Sequence, residues 1–249
     1  ELPASHIGRI VGIADKLVNI CATFSRGMAL LGSQAPYALR RQALGVINII
    51  LDADYHMSLY KMVGGMMYLL NIPTDKAGAL VKQICEFIRM RLKNMLIDQG
   101  IRYDVVDAVL AEERNDDIAD LYKRALALNA FVTSEDAPAL IQAATRVSNL
   151  CKKIEEETAI NNGLFVNPAE NALHEAVLAA SKEILSLEVR YDYAGVLAEA
   201  VKLVAPINKF FEDVMVMDED VRIKNNRLAL LSAVKDVTHA VGDLSAIVQ

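Results

Sequence analysis

The chain has 249 residues, of which 53% are hydrophobic and 23% are charged, and its formal net charge is −6. This length and composition predict a globular protein with one large domain or two ordinary ones. The longest uncharged runs are shorter than the roughly 20 residues of a membrane-spanning helix, and they contain proline and glycine, so we expect a soluble protein without a membrane segment. The chain begins at Glu1 with no signal peptide after it, which predicts a fragment of something longer.

Helical periodicity dominates the sequence, and strand alternation is nearly absent. Gly100 is placed to end the long helix that is predicted from Thr74 to about Gln99. The first half of the chain predicts a helix from Pro36 to about Asp52, a methionine-rich helix over roughly His56–Asn71, a long helix from a Thr74 cap to about Gln99, a short helix capped by Asp104, and a helix over Asp116–Phe131.

The stretch FVTSEDAP (131–138) is the clearest domain boundary, and Thr133 or Ser134 can cap the helix after it. NPAE (167–170) has the pattern of a capping box. Further helices are predicted over Ala137–Glu156, Asp192–Phe211 and Glu219–Val241, and the acidic, methionine-containing segment before Glu219 joins the last two. We therefore predict an all-α protein with two helical bundle units, residues 1–131 and 132–249.

Cysteine and histidine usage indicates neither a disulfide framework nor a metal site. Cys21, Cys85 and Cys151 lie far apart and are odd in number, which favours reduced thiols in a cytosolic protein. The four histidines are equally scattered, and no pair has metal-ligand spacing. No Gly-rich phosphate loop, supported Ser/His/Asp set or Cys/His cluster indicates catalysis.

One polar stripe follows the predicted helix Ala137–Glu156. Its members are Gln142, Arg146, Asn149 and Lys153, and Arg146 lies at the edge of the apolar arc, where a groove could hold a phosphate and a base edge together. The alternative is an ordinary solvated helix face. The chain is acidic, and residues 132–249 carry eleven lysines and arginines against eighteen aspartates and glutamates. Any contact with RNA is therefore expected to come from a local patch and shape, or with help from a partner, rather than from net charge.

The end of the chain combines aromatic, acidic and methionine residues. Periodicity places Phe211 in the core and Phe210 at the rim, where it could either pack or stack on a base. Met215 and Met217 alternate with two valines, so one of these pairs is expected to point away from the core. Arg227 falls on the buried face of the last helix, which favours a structural ion pair over a ligand contact, with the nearest acids at 212, 213 and 218–220.

Several stretches resemble the bacterial glycyl-tRNA synthetase β subunit. FFEDVMVMDEDVRIKNNRLALLSAVKDV (210–237) resembles the C-terminal signature of that family, and four further stretches occur in the same order: IVGIADKL (10–17), GSQAPYALRRQALGVINIIL (32–51), RLKNMLIDQGIRYDVVDAVLA (91–111) and ATRVSNLCKK (144–153). The resemblance implies a C-terminal fragment. Residues 132–249 would form the helical (DALR-type) anticodon-binding domain that the family shares with arginyl-tRNA synthetase.

The resemblance implies that residues 1–131 contain the end of an HD-like helical domain and the helices after it. Asp15 lies in an Ala-Asp step similar to one that supplies a metal ligand in metal-binding HD proteins. Val18 replaces the second Asp of the family, and no adjacent His-Asp pair occurs in the chain. We therefore expect no metal and no hydrolase activity here.

The resemblance also implies a role in tRNA recognition within a cytoplasmic α2β2 glycine–tRNA ligase. The α subunit would activate glycine with ATP and magnesium, and this fragment would be non-catalytic, without a cofactor of its own, and would contact tRNA(Gly). Glycine anticodons share two cytosines, whose N4 donates and whose O2 and N3 accept hydrogen bonds. The hypothesis assigns acceptance to Asp213, donation to Arg146 or Asn149, and stacking to Phe210 or Met215. The full set of predicted RNA-binding residues is Arg146, Asn149, Lys153, Phe210, Asp213, Met215, Arg222 and Asn226.

The alternative function is a helical scaffold that docks the partner α subunit without reading bases. Its surface would be the exposed apolar part of Met57–Met67. A free-standing HD-type hydrolase is a third possibility, which the missing His-Asp pair disfavours.

Overall fold

The computed structural model describes residues 2–27, 37–111, 115–156 and 158–248. These residues are predominantly helical, which confirms the predicted all-α class. The predicted helix start at Pro36 lies outside the described residues. The helices are α1 (His6–Ser25), α2 (Tyr37–Ala53), α3 (Leu59–Leu69), α4 (Thr74–Asp98), α5 (Tyr103–Leu110), α6 (Ile118–Phe131), α7 (Ala137–Cys151), α8 (Pro168–Glu188), α9 (Tyr193–Val201), α10 (Val204–Asp213) and α11 (Val221–Thr238).

Some of the predicted helix caps are present in the structure and others are not. The capping box is confirmed, because the Asn167 side chain accepts from the first turn of α8 while Glu170 accepts from the Asn167 backbone N–H. Gly100 ends α4 as predicted, with a φ of +88° directly after Gln99, but the other predicted caps at helix starts are wrong. Pro73 occupies the cap position before α4 and Asp136 the one before α7, each without a side-chain hydrogen bond. Arg102 precedes α5, and Asp104 lies within its first turn.

The predicted single helix over Asp192–Phe211 is wrong, because two helices occupy this range. α9 ends at Val201 and α10 begins at Val204. Pro206 explains the break. Proline has no N–H to continue the helical ladder, and its ring would clash with the carbonyl four residues earlier, so a continuous helix cannot pass through it.

The described residues form two compact units. One draws on Glu1–Ile101 and Glu113–Tyr122, and the other on Arg102–Glu112 and Lys123–Gln249. This division falls earlier in the chain than the predicted boundary after residue 131. The boundary signals at 131–138 coincide with the end of α6. However, α5 and the part of α6 from Lys123 onward belong to the unit that contains α7–α11.

The first unit packs α1 against α2 and α3 against α4. Asp116 fastens the start of α3, since its Oδ2 accepts from the Ser58 hydroxyl at 2.6 Å and from the Tyr60 backbone N–H at 2.7 Å. In the methionine-rich α3, Val63 and Met67 are buried, while Tyr60 and Tyr68 face outward.

The second unit is a bundle in which α11 packs against both α7 and α8. After α11, the chain turns back through a 3-10 turn, Leu244–Ala246, which packs against α7 and α5. We call residues 244–248 the C-terminal tail. This arrangement places polar side chains of α7 beside the tail, and the candidate site lies there.

Candidate nucleic-acid interface

A buried ion pair fixes the connector between α10 and α11, residues 214–220. The Arg227 guanidinium donates to Glu170 Oε1 at 2.8 Å, to Asp218 Oδ2 at 2.7 Å and to the Met215 carbonyl at 2.8 Å. The predicted structural role of Arg227 is therefore confirmed, with Asp218 as one of its partners. The other partner, Glu170, was not predicted, since it lies 57 positions away along the chain.

Side chains along the connector alternate between buried and exposed positions. Val214 and Val216 are buried, whereas Met215 is 76% and Met217 is 42% exposed. The prediction that one pair points away from the core is confirmed, and the methionines are that pair. Two thioether side chains are therefore presented at the surface by a backbone that Arg227 holds in place.

The two phenylalanines are exchanged relative to the prediction. Phe210 is 0% exposed, and Phe211 is half-buried beside it, with the ring centroids 5.6 Å apart. The break before α10 resets the helical phase, so that Ile207 and Phe210 face inward together. No base can stack on a buried ring, so the assignment of Phe210 as an RNA-binding residue is wrong.

Phe211 instead supports an arginine. The Arg146 guanidinium carbon lies 4.0 Å from the centroid of the Phe211 ring, within the range of a cation–π contact. Arg146 itself is exposed. The ring therefore packs against the guanidinium at the surface of the bundle, and unpaired bases can stack on arginine guanidinium planes.

Arg146 is one of the residues that line a groove of about 510 Å³. Four other residues of α7 and two of the tail complete its lining: Ile141, Gln142, Thr145, Asn149, Ser245 and Ile247. Asn149 Oδ1 accepts from the Lys152 ammonium at 3.0 Å. Three of the four members of the predicted polar stripe, Gln142, Arg146 and Asn149, thus line one groove.

The other predicted residues lie elsewhere or are otherwise engaged. Lys153 lines a separate cavity of about 220 Å³ with Lys224 and Asn225. The Asp213 carboxylate is paired with the Lys209 ammonium at 2.9 Å. Arg222 is exposed and donates through Nη2 to Asp220 at 2.8 Å.

Asn226 has a structural role. It is 3% exposed, its Oδ1 accepts from the Asn161 backbone N–H at 2.7 Å, and its Nδ2 donates to the Asn161 carbonyl at 3.1 Å. Both ends of the amide are satisfied inside the bundle, so the assignment of Asn226 as an RNA-binding residue is wrong.

A half-buried histidine lies where α11 ends. His239 Nε2 is 2.9 Å from the Ser148 hydroxyl of α7, and its Nδ1 is 3.3 Å from Asp243 Oδ1. Burial lowers the pKa of His239 to about 4, and nearby Lys235 acts in the same direction, while Asp243 opposes them. The ring is therefore neutral near pH 7, and Ser148 is too buried to act as a nucleophile.

Among the described residues, no group of three or more His, Cys, Asp and Glu side chains is arranged to hold a metal ion. In the same ranges, every helix is too short or too polar to cross a lipid bilayer.

Two segments of the chain match models of known protein families. Residues 1–111 match the model described as "Glycyl-tRNA synthetase beta subunit", and residues 140–245 match the model "DALR anticodon binding domain". The chain is thus similar to the glycyl-tRNA synthetase β subunit in its first part and to an anticodon-binding domain in its second. The predicted resemblance is confirmed, and the groove lies within or at the edge of the segment that matches the anticodon-binding model.

Curated relatives of the glycyl-tRNA synthetase β-subunit family align along nearly the whole chain. The "Glycine--tRNA ligase beta subunit" of Syntrophus aciditrophicus is 39% identical over 249 residues, which is 100% of this chain and 36% of the relative. The protein of the same name from Clostridioides difficile is 38% identical over 247 residues, which is 99% of this chain and 36% of the relative. The chain therefore spans only about a third of the length of these relatives.

Proposed function

We propose that this chain is the tRNA-recognition part of a glycine–tRNA ligase, and that it reads the anticodon of tRNA(Gly). The observation that carries the proposal is the exposed Arg146 guanidinium, which contacts the Phe211 ring and lines a polar groove in the segment that matches an anticodon-binding model. An exposed, supported cationic plane beside hydrogen-bonding groups is suited to an unpaired base and its phosphate.

The composition of the whole enzyme is inferred from the name of the relatives, which is that of a ligase β subunit. In the proposed assembly, an α subunit binds ATP with magnesium and activates glycine, and this chain contributes binding energy and specificity for tRNA. The proposed holoenzyme is an α2β2 heterotetramer in the cytoplasm. In this proposal the chain itself is non-catalytic, since its contribution is to position the tRNA.

The chemistry of cytosine sets what the surface must provide. Cytosine needs an acceptor opposite N4 and donors opposite N3 and O2. Arg146 and the Asn149 amide supply donors at the groove, and the exposed Met215 on the connector offers a separate apolar surface. Asp213 already has a lysine partner, so acceptance by its carboxylate would require exchange of that ion pair.

The alternative scaffold function has less support. The surface proposed for it, Met57–Met67, is only partly exposed, and Met67 is buried. The anticodon-binding match covers residues 140–245, in the other compact unit.

The test compares RNA binding by the chain and by Arg146→Ala. The ligands are tRNA with a glycine anticodon and the same tRNA with the second cytosine changed. Loss of one stacking platform is worth about 1–3 kcal/mol, so Arg146→Ala should bind roughly 5- to 150-fold more weakly. The melting temperature should not change, because Arg146 is exposed.

The matched control is Arg190→Ala, which removes the same charge from another exposed position of the same unit. Equal losses in both variants would indicate general electrostatic attraction and count against a specific platform. Equal affinity of the wild-type chain for both tRNAs would refute base reading by this surface.

A further inference from the structure

The groove beside Arg146 has a charge unlike that of the unit around it. Residues 132–249 contain eleven lysines and arginines and eighteen aspartates and glutamates. The groove lining, in the described part of the chain, contains one arginine, two amides, two hydroxyl groups and two isoleucines, and no carboxylate. An acidic unit therefore has a neutral-to-positive groove here, which an anionic, flat ligand can enter without direct repulsion.

The tail that forms the outer wall of the groove is fixed at both ends. The Val248 backbone N–H donates to Asp104 Oδ2 at 2.8 Å, and its carbonyl accepts from Arg102 Nη2 at 2.7 Å. Arg102 and Asp104 bind each other through two hydrogen bonds. At the other end, Asp243 Oδ1 accepts from the Ser245 backbone N–H at 3.0 Å. Ser245 and Ile247 thus lie on a short segment that is anchored on either side.

Hydrogen-bond partners outside the groove fix the polarity of two groups inside it. The Ser245 hydroxyl donates to Asp243 Oδ1 at 2.6 Å, so its oxygen is left to accept from a ligand. The Asn149 carbonyl oxygen accepts from Lys152, so the Asn149 amide nitrogen is the end left to donate to a ligand. The groove therefore presents one fixed acceptor and one fixed donor.

This pair of polarities distinguishes the two pyrimidines. Cytosine has a donor at N4 next to acceptors at N3 and O2, whereas uracil has an acceptor at O4 next to a donor at N3. A base placed with its edge toward Ser245 and Asn149 would satisfy both groups if it is cytosine, and would oppose an acceptor to an acceptor if it is uracil. The aliphatic side chains of Ile141 and Ile247 provide apolar contacts for the ring.

We propose that this groove binds one unpaired cytosine and selects it over uracil through the oriented Ser245 hydroxyl and Asn149 amide. Its volume of about 510 Å³ lies within the roughly 300–1,000 Å³ of typical ligand pockets. The proposal rests on the function proposed above and adds to it a location and a discriminating pair of residues. Ser245 is the less expected member, because it belongs to the tail rather than to the helix stripe.

The experiment measures a ratio of affinities rather than an affinity. The intact 249-residue chain is titrated with an RNA hairpin that carries a glycine anticodon loop, and with hairpins in which one cytosine at a time is replaced by uracil. One cytosine position should show a preference of roughly tenfold or more over uracil, as for other specific base contacts. Asn149→Asp keeps the side-chain size but replaces the donor with an acceptor, and should abolish or reverse the preference at that position.

Two further variants separate polarity from fold. Ser245→Ala should reduce the preference to below roughly threefold, and Ser245→Thr, which keeps the hydroxyl, should restore it. Lys152→Met should also reduce the preference, because the Asn149 amide can then rotate and present its oxygen. Lys152→Met lowers attraction to all the hairpins alike, so a change in the ratio cannot come from the lost charge. Melting temperatures confirm that each variant is folded.

Each outcome bears on a different claim. If Arg146→Ala weakens binding but Asn149→Asp and Ser245→Ala leave every cytosine-to-uracil ratio unchanged, the groove assignment is overturned and the proposed function stands. If the wild-type chain binds no hairpin, the proposed function fails and the groove assignment fails with it. A ratio that falls in Asn149→Asp and returns in Ser245→Thr relative to Ser245→Ala supports the proposal.

Discussion

His239 makes the stability of the C-terminal unit depend on pH. Burial lowers the pKa of this histidine from 6.5 to about 4 in the folded chain. The unfolded chain therefore takes up a proton near pH 6 while the folded chain does not. The stabilisation is complete above pH 6.5 and is lost progressively as the pH falls toward about 4. Between pH 7 and pH 5 this linkage should lower the free energy of unfolding by about 2 kcal/mol.

The assay is denaturant unfolding of the wild-type chain and of His239→Gln at pH 7 and at pH 5. Glutamine can still bond to Ser148 and Asp243 but does not titrate, so the variant should lose about 2 kcal/mol less than the wild type over the same interval. His174→Gln is the matched control, since it replaces another half-buried histidine of the same unit. If wild type and His239→Gln lose the same stability within about 0.5 kcal/mol, His239 does not carry the linkage.

The remaining predictions concern the connector and its neighbours. Phe210→Ala should lower the free energy of unfolding by about 3–5 kcal/mol, as for other buried aromatic residues, whereas Phe211→Ala should cost clearly less and weaken RNA binding instead. Urea midpoints and RNA titrations would separate the two. Arg227→Ala should cost about 3–5 kcal/mol because it leaves Glu170 buried without its cation, and the double change Glu170→Gln with Arg227→Met should recover part of this in the same unfolding assay. Met215→Ala should stay within about 0.5 kcal/mol of the wild type in thermal unfolding, and a larger loss would show that the exposed thioether packs against something. Raising the salt concentration from 50 to 200 mM should weaken RNA binding by less than roughly tenfold, because few phosphate contacts are available, and a steeper dependence would reveal a wider cationic surface.

Local signals in the sequence were sufficient for several features of the fold. The capping box at the start of α8 depends on side chains three positions apart, so it is visible in the sequence itself. The alternation of Val214 and Val216 with two methionines likewise specifies opposite faces without knowledge of the neighbours. The buried position of Arg227 could be predicted from periodicity, because an interior cation requires a partner wherever that partner lies in the chain.

Features that depend on distant contacts or on phase could not be predicted. The exchange of Phe210 and Phe211 follows from treating the range around Pro206 as one helix, since a break of two residues rotates everything after it. Glu170 and His239 find their partners 57 and 91 positions away, and no local pattern gives such a pairing. The contribution of Ser245 to the groove arises only because the tail folds back onto α7.

The acidic connector explains how a negatively charged unit can still offer a surface to RNA. Asp218 accepts from the Asp220 backbone N–H at 3.0 Å and from Arg227 at 2.7 Å, and these hydrogen bonds hold its pKa below the ordinary value. Asp220 begins α11 and binds Arg222, while Asp213 binds Lys209. These three carboxylates are therefore used to cap a helix or to neutralise a neighbouring cation. Because their charge is compensated locally, these three carboxylates add little to the field at the groove, where the nearest charges are Arg146, Lys152 and Asp243. At the proposed site, selection of a base would therefore depend on hydrogen-bond polarity rather than on the total charge of the unit.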